Sequence, residues 1–172
     1  KSFKIFVLQK SLSEGGSAGK NMELKKFIII ALLIISPSKI FAKNIEPNKN
    51  LKPYDIVKIQ LEALKSNDAN DEGIKQTWLF AHPNNKKATG PYARFRLMLY
   101  GQQYKLLLNH SSHKIELMMN SPNKNIYKVK ILAKDKQLFF YEWHVQKGSD
   151  DKCKDCWFTS AVSQPIDQGN TI

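Results

Sequence analysis

Tyr127-Lys128-Val129-Lys130-Ile131-Leu132-Ala133 and, after Lys134-Asp135-Lys136, Phe139-Phe140-Tyr141-Glu142-Trp143-His144-Val145 decide the fold class. In the first, Tyr127, Val129, Ile131 and Ala133 alternate with Lys128, Lys130 and Leu132. In the second, Phe139, Tyr141, Trp143 and Val145 alternate with Phe140, Glu142, His144 and Gln146. A period of two marks a half-buried strand, because successive side chains leave a strand on opposite faces. Lys134-Asp135-Lys136 is then the turn of an antiparallel hairpin.

The pattern continues on both sides. Ile115, Leu117 and Met119 alternate with Lys114, Glu116 and Met118, and Ser121–Asn125 is a turn. Gly148–Asp155 is a third turn and Trp157–Val162 a last strand. The apolar run Tyr104–Leu108 reads as one more short strand.

Upstream the period changes. Pro53-Tyr54-Asp55 opens a helix on which Val57, Leu61 and Leu64 share a face, widened by Ile56 and Ala63, and Ser66-Asn67-Asp68 stops it. Asn70 or Asp71 is placed to cap a second helix carrying Ile74, Trp78 and Ala81, which Pro83 ends. Asn84–Ala88 reads as a lysine-bearing loop. Thr89-Gly90-Pro91 starts a third helix with Phe95, Met98 and Leu99 inside, and Gly101 suits a left-handed helix end. Three helices followed by hairpins predict an α+β domain: three N-terminal helices on a strongly curved antiparallel sheet of about four or five strands.

The first part of the chain differs in composition. Met22, Lys25 and Lys26, the apolar run Phe27–Ile35, the breaker Ser36-Pro37-Ser38 and Ala42 have the anatomy of a signal peptide. The run is far shorter than the roughly 20 residues that span a bilayer. No cysteine near the cut supports a lipid anchor. The expected organisation is an upstream segment 1–21 foreign to the native protein, a signal peptide 22–42, a flexible lead-in 43–52, one domain over 53–164 and a disordered tail 165–172. An exported protein, periplasmic or secreted, follows, with no stable membrane span after cleavage.

The formal charge of +12 falls to +7 from Lys43 onward, with 20 Lys and Arg against 13 Asp and Glu. The lysines are dispersed, as on a solvated surface. With no recognition motif, nucleic acid is not an expected partner.

Pro53–Leu64 with Asn67-Asp68, Trp78-Leu79-Phe80-Ala81-His82-Pro83, Thr89-Gly90-Pro91 with Arg94-Phe95, Leu107-Leu108-Asn109-His110 and Cys156-Trp157 together resemble an uncharacterised family. It is a domain of unknown function with a nuclear transport factor 2-like fold, and the resemblance covers Pro53–Val162. It implies a cone: a strongly bent sheet around a cavity, closed on one side by helices. It implies no activity, since cones of this kind host isomerases, hydrolases and plain binding modules alike. The chain departs from the usual pattern at the Cys153/Cys156 pair and in its lysine-rich 123–147 region.

Cys153-Lys154-Asp155-Cys156 contains both cysteines. In an oxidising compartment the expectation is a disulfide. A redox CxxC sits at a helix N-terminus, whereas this one lies between β patterns among Asp150, Asp151 and Asp155. Zinc would need four ligands and finds two, so no metal and no cofactor are expected. Candidate ligand-binding residues are Trp78, Arg94, Asn109, His110, Tyr141 and Trp143. Arg94 suits an anion at a cone mouth, the aromatics a flat ligand, and His110 a general base. Glu116 and Glu142 fall opposite the apolar set and Asp55 in a first helical turn, which leaves no cavity acid. No residue is assigned as catalytic. The leading expectation is a non-catalytic module binding a small ligand or a protein partner. The alternatives are a small lyase, isomerase or hydrolase using His110 with Arg94 or a tyrosine, and a homodimeric interaction module pairing through the open sheet face.

Overall fold

The computed structural model describes residues 44–170; the upstream segment, the signal peptide and the last two residues of the tail lie outside the described residues. Among the described residues four helices precede the sheet: α1 (Pro53–Lys65), α2 (Glu72–Leu79), α3 (Pro83–Thr89) and α4 (Tyr92–Tyr100). A 3-10 turn at Lys105–Leu107 leads into β1 (Ser112–Asn120), β2 (Lys124–Leu132), β3 (Gln137–Gly148), β4 (Cys156–Val162) and β5 (Ile166–Asn170). All strand pairings are antiparallel, in the order β1-β2-β3-β4, with β5 also on β3.

The deciding hairpin forms as read. Tyr127 faces Trp143, Val129 faces Tyr141 and Ile131 faces Phe139 across β2 and β3, and all six are buried. Such cross-strand pairs contribute roughly 0.2–1 kcal/mol each. Helix α1 lies over this face with Ile56, Val57, Gln60, Leu61 and Leu64 buried. Asp55 accepts from the Lys52 backbone N–H at 2.8 Å, so it serves as helix-end charge.

The sheet is not strongly curled as expected, and the structure departs from the expected pattern in six further places. Asn84–Ala88, expected as a loop, lies inside the extra helix α3, which also takes in Pro83 and Thr89. Pro83 fits its first turn, and His82 Nδ1 accepts from the Asn84 N–H at 3.1 Å. None of its residues is buried, so it has no apolar stripe to read. The second correction concerns Tyr104–Leu108. It is a 3-10 turn, not a strand, because the chain from Gly101 folds back through i→i+3 and i→i+4 bonds.

Third, Gly101 is extended (φ −67°, ψ 159°), so α4 ends without a left-handed residue. Fourth, Asp71 stands at the N-cap of α2 in a left-handed conformation (φ 59°) and does not cap. Asn67 Oδ1 takes the Ile74 N–H and Asp68 Oδ1 the Glu72 N–H, each at 3.1 Å. The buried Asp71 carboxylate instead receives Arg96, the Tyr100 hydroxyl at 2.5 Å and the Asn67 amide at 3.0 Å. Burial pushes its pKa up, but these donors outweigh burial and hold it below the ordinary carboxylate value.

Fifth, the alternation in β1 does not mark a buried face throughout. β1 is an edge strand, and Leu117, Met118 and Met119 are exposed where its register slips past β2. Sixth, Ile166–Asn170, expected within a disordered tail, pairs with β3. It takes the half of the β3 edge that β4 leaves free. At the joint, Ser163 donates its N–H to Glu142 O at 2.9 Å, and its Oγ accepts from Glu142 N at 2.8 Å. Pro165, lacking an N–H, separates the two strands.

Candidate functional site

The helices and the β3–β4 half of the sheet enclose a cavity of about 180 Å³. Its apolar wall comes from Leu64, Phe95, Met98, Leu99, Leu107 and Val162. Its polar residues are Gln60, Thr77, Trp143 and Thr159, together with Asn85, Thr89, Tyr104 and Ser160. These elements meet because α2 is tied to β4 by one short parallel bridge. His82 N–H donates to Thr159 O and Thr159 N–H to Phe80 O, both at 2.8 Å.

Gln60, Thr77, Trp143 and Thr159 form one network. The Trp143 indole N–H is shared between Gln60 Oε1 and Thr159 Oγ1, each at 3.0 Å. Thr159 Oγ1 donates to Gln60 Oε1 at 2.5 Å, and Gln60 Nε2 donates to Thr77 O at 3.0 Å. Gln60 and Trp143 are each only 1 % exposed, so each needs the partners the other supplies. The lining holds no Asp, Glu, Lys, Arg or His. Its one titratable side chain is Tyr104, whose hydroxyl donates to Val162 O and whose pKa burial raises.

Of the six candidate binding residues, Trp143 alone lines this cavity. Trp78 is half-buried outside it, its ring 4.9 Å from that of Phe95, with the Lys86 ammonium 5.5 Å from its centroid. Arg94 is exposed, its Cδ lying over Gly90. Tyr141 is fully buried and donates to Gln103 O at 3.1 Å; burial raises its pKa. Asn109, left-handed at φ 55°, donates its N–H to Leu64 O at 2.9 Å and so ties the loop before β1 to the end of α1. Glu116 and Glu142 are exposed.

His110 is buried beside His113. Its Nδ1 lies 2.8 Å from Leu107 O, and a carbonyl only accepts, so Nδ1 carries the proton. Its Nε2 is therefore an acceptor and takes the Nδ1–H of His113 at 2.8 Å. His113 Nε2 then faces Glu62 Oε1 at 3.5 Å. Burial, against the bond to Leu107, lowers the His110 pKa to about 4, so the ring is neutral near pH 7 with both nitrogens engaged. His110 thus locks the 3-10 turn to the start of β1.

Cys153 and Cys156 form a disulfide, Cα atoms 5.8 Å apart, in the β3–β4 turn. Phe158 packs with them in a small cluster of their own. Closing so short a loop stabilises by about 2 kcal/mol at most. Reduced protein is expected to stay folded and melt several degrees lower, with two thiols titrating only after reductant. Two thiols titrating in oxidised protein would remove the bridge.

Sequence reasoning missed Gln60, Thr77 and Thr159. Gln60 did leave a signal: it is a polar residue inside the Val57–Leu61–Leu64 stripe, a position that demands a buried partner. Among the described residues no helix is long and apolar enough to cross a membrane. No family model, curated protein or solved structure matches the chain.

Proposed function

We propose that this chain is an exported, non-catalytic module that holds a small molecule in the cavity between its helices and its sheet. One observation carries the reading: the cavity can form hydrogen bonds, yet no side chain that exchanges a proton near neutral pH lines it. A site built for acid–base chemistry places a carboxylate or imidazole within reach of the bound molecule. Here buried His110 is spent on the 3-10 turn and buried His82 on the start of α3. A volume of about 180 Å³ suits roughly one ring, since an engineered cavity of about 150 Å³ takes benzene. The cone-like fold and the export route belong to the same proposal. Helices laid on one face of an antiparallel sheet support the first; the bonded cysteine pair and the basic-apolar-breaker order of residues 22–42 support the second.

The test blocks the entrance. Ala161 lines the cavity but is exposed, so it stands at the mouth. Ala161→Trp is expected to leave the melting temperature within about 2 °C of wild type, as surface changes do. It is also expected to weaken binding of small rings, followed by NMR shifts of the Trp143 indole N–H, at least tenfold. Equal shifts in the variant and the wild type would show that rings bind elsewhere, and the cavity reading would fail.

A further inference from the structure

We propose that the molecule held in this cavity is uncharged and carries a hydrogen-bond donor on a ring-sized apolar body. This rests on the binding reading above and names its ligand class. Two features of the lining carry it.

The first is charge. No side chain of the lining bears a formal charge. An anion or cation taken inside would leave water without a counter-charge, and that desolvation is not repaid by neutral dipoles. Arg94, the one cation that sequence reasoning offered to an anionic ligand, stays outside. Carboxylates, phosphates and ammonium groups are therefore rejected.

The second is the direction of the hydrogen bonds. Five hydroxyl groups line the cavity, and every one donates to the protein. Thr77 Oγ1 donates to Gly73 O at 2.9 Å, Thr89 Oγ1 to Asn85 O at 2.8 Å and Thr159 Oγ1 to Gln60 Oε1 at 2.5 Å. Ser160 Oγ donates to His144 O at 3.3 Å and Tyr104 to Val162 O at 3.1 Å. The indole N–H of Trp143 is likewise committed, and Gln60 and Asn85 each spend one amide hydrogen on a carbonyl. A hydroxyl whose hydrogen is spent still has a lone pair to give. The lining therefore offers mainly acceptors, and the complementary group on a ligand is an O–H or N–H. A ligand with only acceptors must compete for hydrogens already in use, and a buried acceptor left unpaired loses affinity.

Five probes of similar ring size separate these statements: phenol, toluene, benzaldehyde, benzoate and benzylammonium, each titrated into the purified chain at neutral pH and followed by the Trp143 indole N–H in NMR. Phenol is expected to bind at least ~10-fold more tightly than toluene or benzaldehyde, about what one extra hydrogen bond supplies. Benzoate and benzylammonium are expected to bind at least ~100-fold more weakly than phenol. Toluene or benzaldehyde matching phenol would overturn the donor requirement, and either ion matching phenol would overturn neutrality. In both cases binding itself would stand. No shift with any probe would instead remove the binding reading, and this ligand class with it.

Discussion

Gly73→Ala is expected to destabilise the protein by about 3 kcal/mol or more, lowering its melting temperature by about 10 °C. Helix propensity alone predicts the opposite, since Ala in a helix is favoured over Gly by up to about 1 kcal/mol. Packing decides the sign. Gly73 is buried in the first turn of α2, where that helix crosses α1. A methyl group there would run into the Ala63 carbonyl oxygen, with the carbonyl carbon at 2.8 Å and Asn67 Oδ1 at 2.9 Å. The obstacle is helical backbone on one side and the α2 cap on the other, because Asn67 Oδ1 holds the Ile74 N–H. Neither swings away as a surface side chain would. α2 must back off from α1, which strains the Gln60–Thr77 bond and so the polar side of the cavity. Urea denaturation of wild type and variant measures the loss. A Gly73→Ala protein as stable as wild type would mean that the two helices do not approach this closely. The companion contact is Gly148, where a methyl would meet the His82 ring (Cδ2 at 2.8 Å). A side chain can yield there, so a smaller loss is expected.

What the sequence made legible follows from where burial is one-sided. β2 and β3 carry one buried face each, so their period of two survives in the residues, and Tyr127 through Val145 read correctly. α1 is legible for the same reason. α3 is not, because PNNKKAT buries nothing; its only written signals are Pro83 and the His82 before it. β5 is held by backbone bonds to β3, which leave no mark on residue type. In β1 the apolar residues are present but the burial is not, since hydropathy does not reveal which strand ends the sheet. Tyr104–Leu108 misled in the reverse sense: a short apolar run fits a strand and a 3-10 turn that buries one residue, Leu107, equally well. The cavity was the least legible feature. Trp143 stood out as an aromatic on a buried face. Its partners lie 83 residues upstream at Gln60 and 16 downstream at Thr159, and no local pattern joins them.

His110 is expected to make stability fall by about 3 kcal/mol between pH 6.5 and pH 4. In the unfolded chain the imidazole titrates near 6.5; in the fold, burial holds it to about 4. Between those values the unfolded chain binds the proton and the folded chain does not, so acid favours unfolding. The contribution is fully present above 6.5 and lost as pH falls towards 4. The groups that face the pair are the Leu107 carbonyl, Glu62, Lys65 and, nearer His113, Lys58. Burial lowers the His113 pKa too, which adds in the same direction, although a proton on its Nε2 would at least meet Glu62. A proton on His110 Nε2 finds an acceptor only if His113 moves its own proton from Nδ1 to Nε2, towards Glu62 Oε1 at 3.5 Å, and the charge on His110 stays buried even then. His110→Asn isolates the effect, because the Asn amide can still donate to Leu107 O but does not titrate. Urea denaturation at intervals from pH 7 to 4 is expected to give a markedly flatter profile for the variant than for wild type. Asp71, whose lowered pKa protects the fold until more acid pH, remains in both proteins and cancels in the comparison. Parallel profiles, or an NMR titration placing His110 near 6.5, would show that the ring is neither dry nor locked. It would then be free to take the proton-transfer role that its engaged nitrogens here deny it.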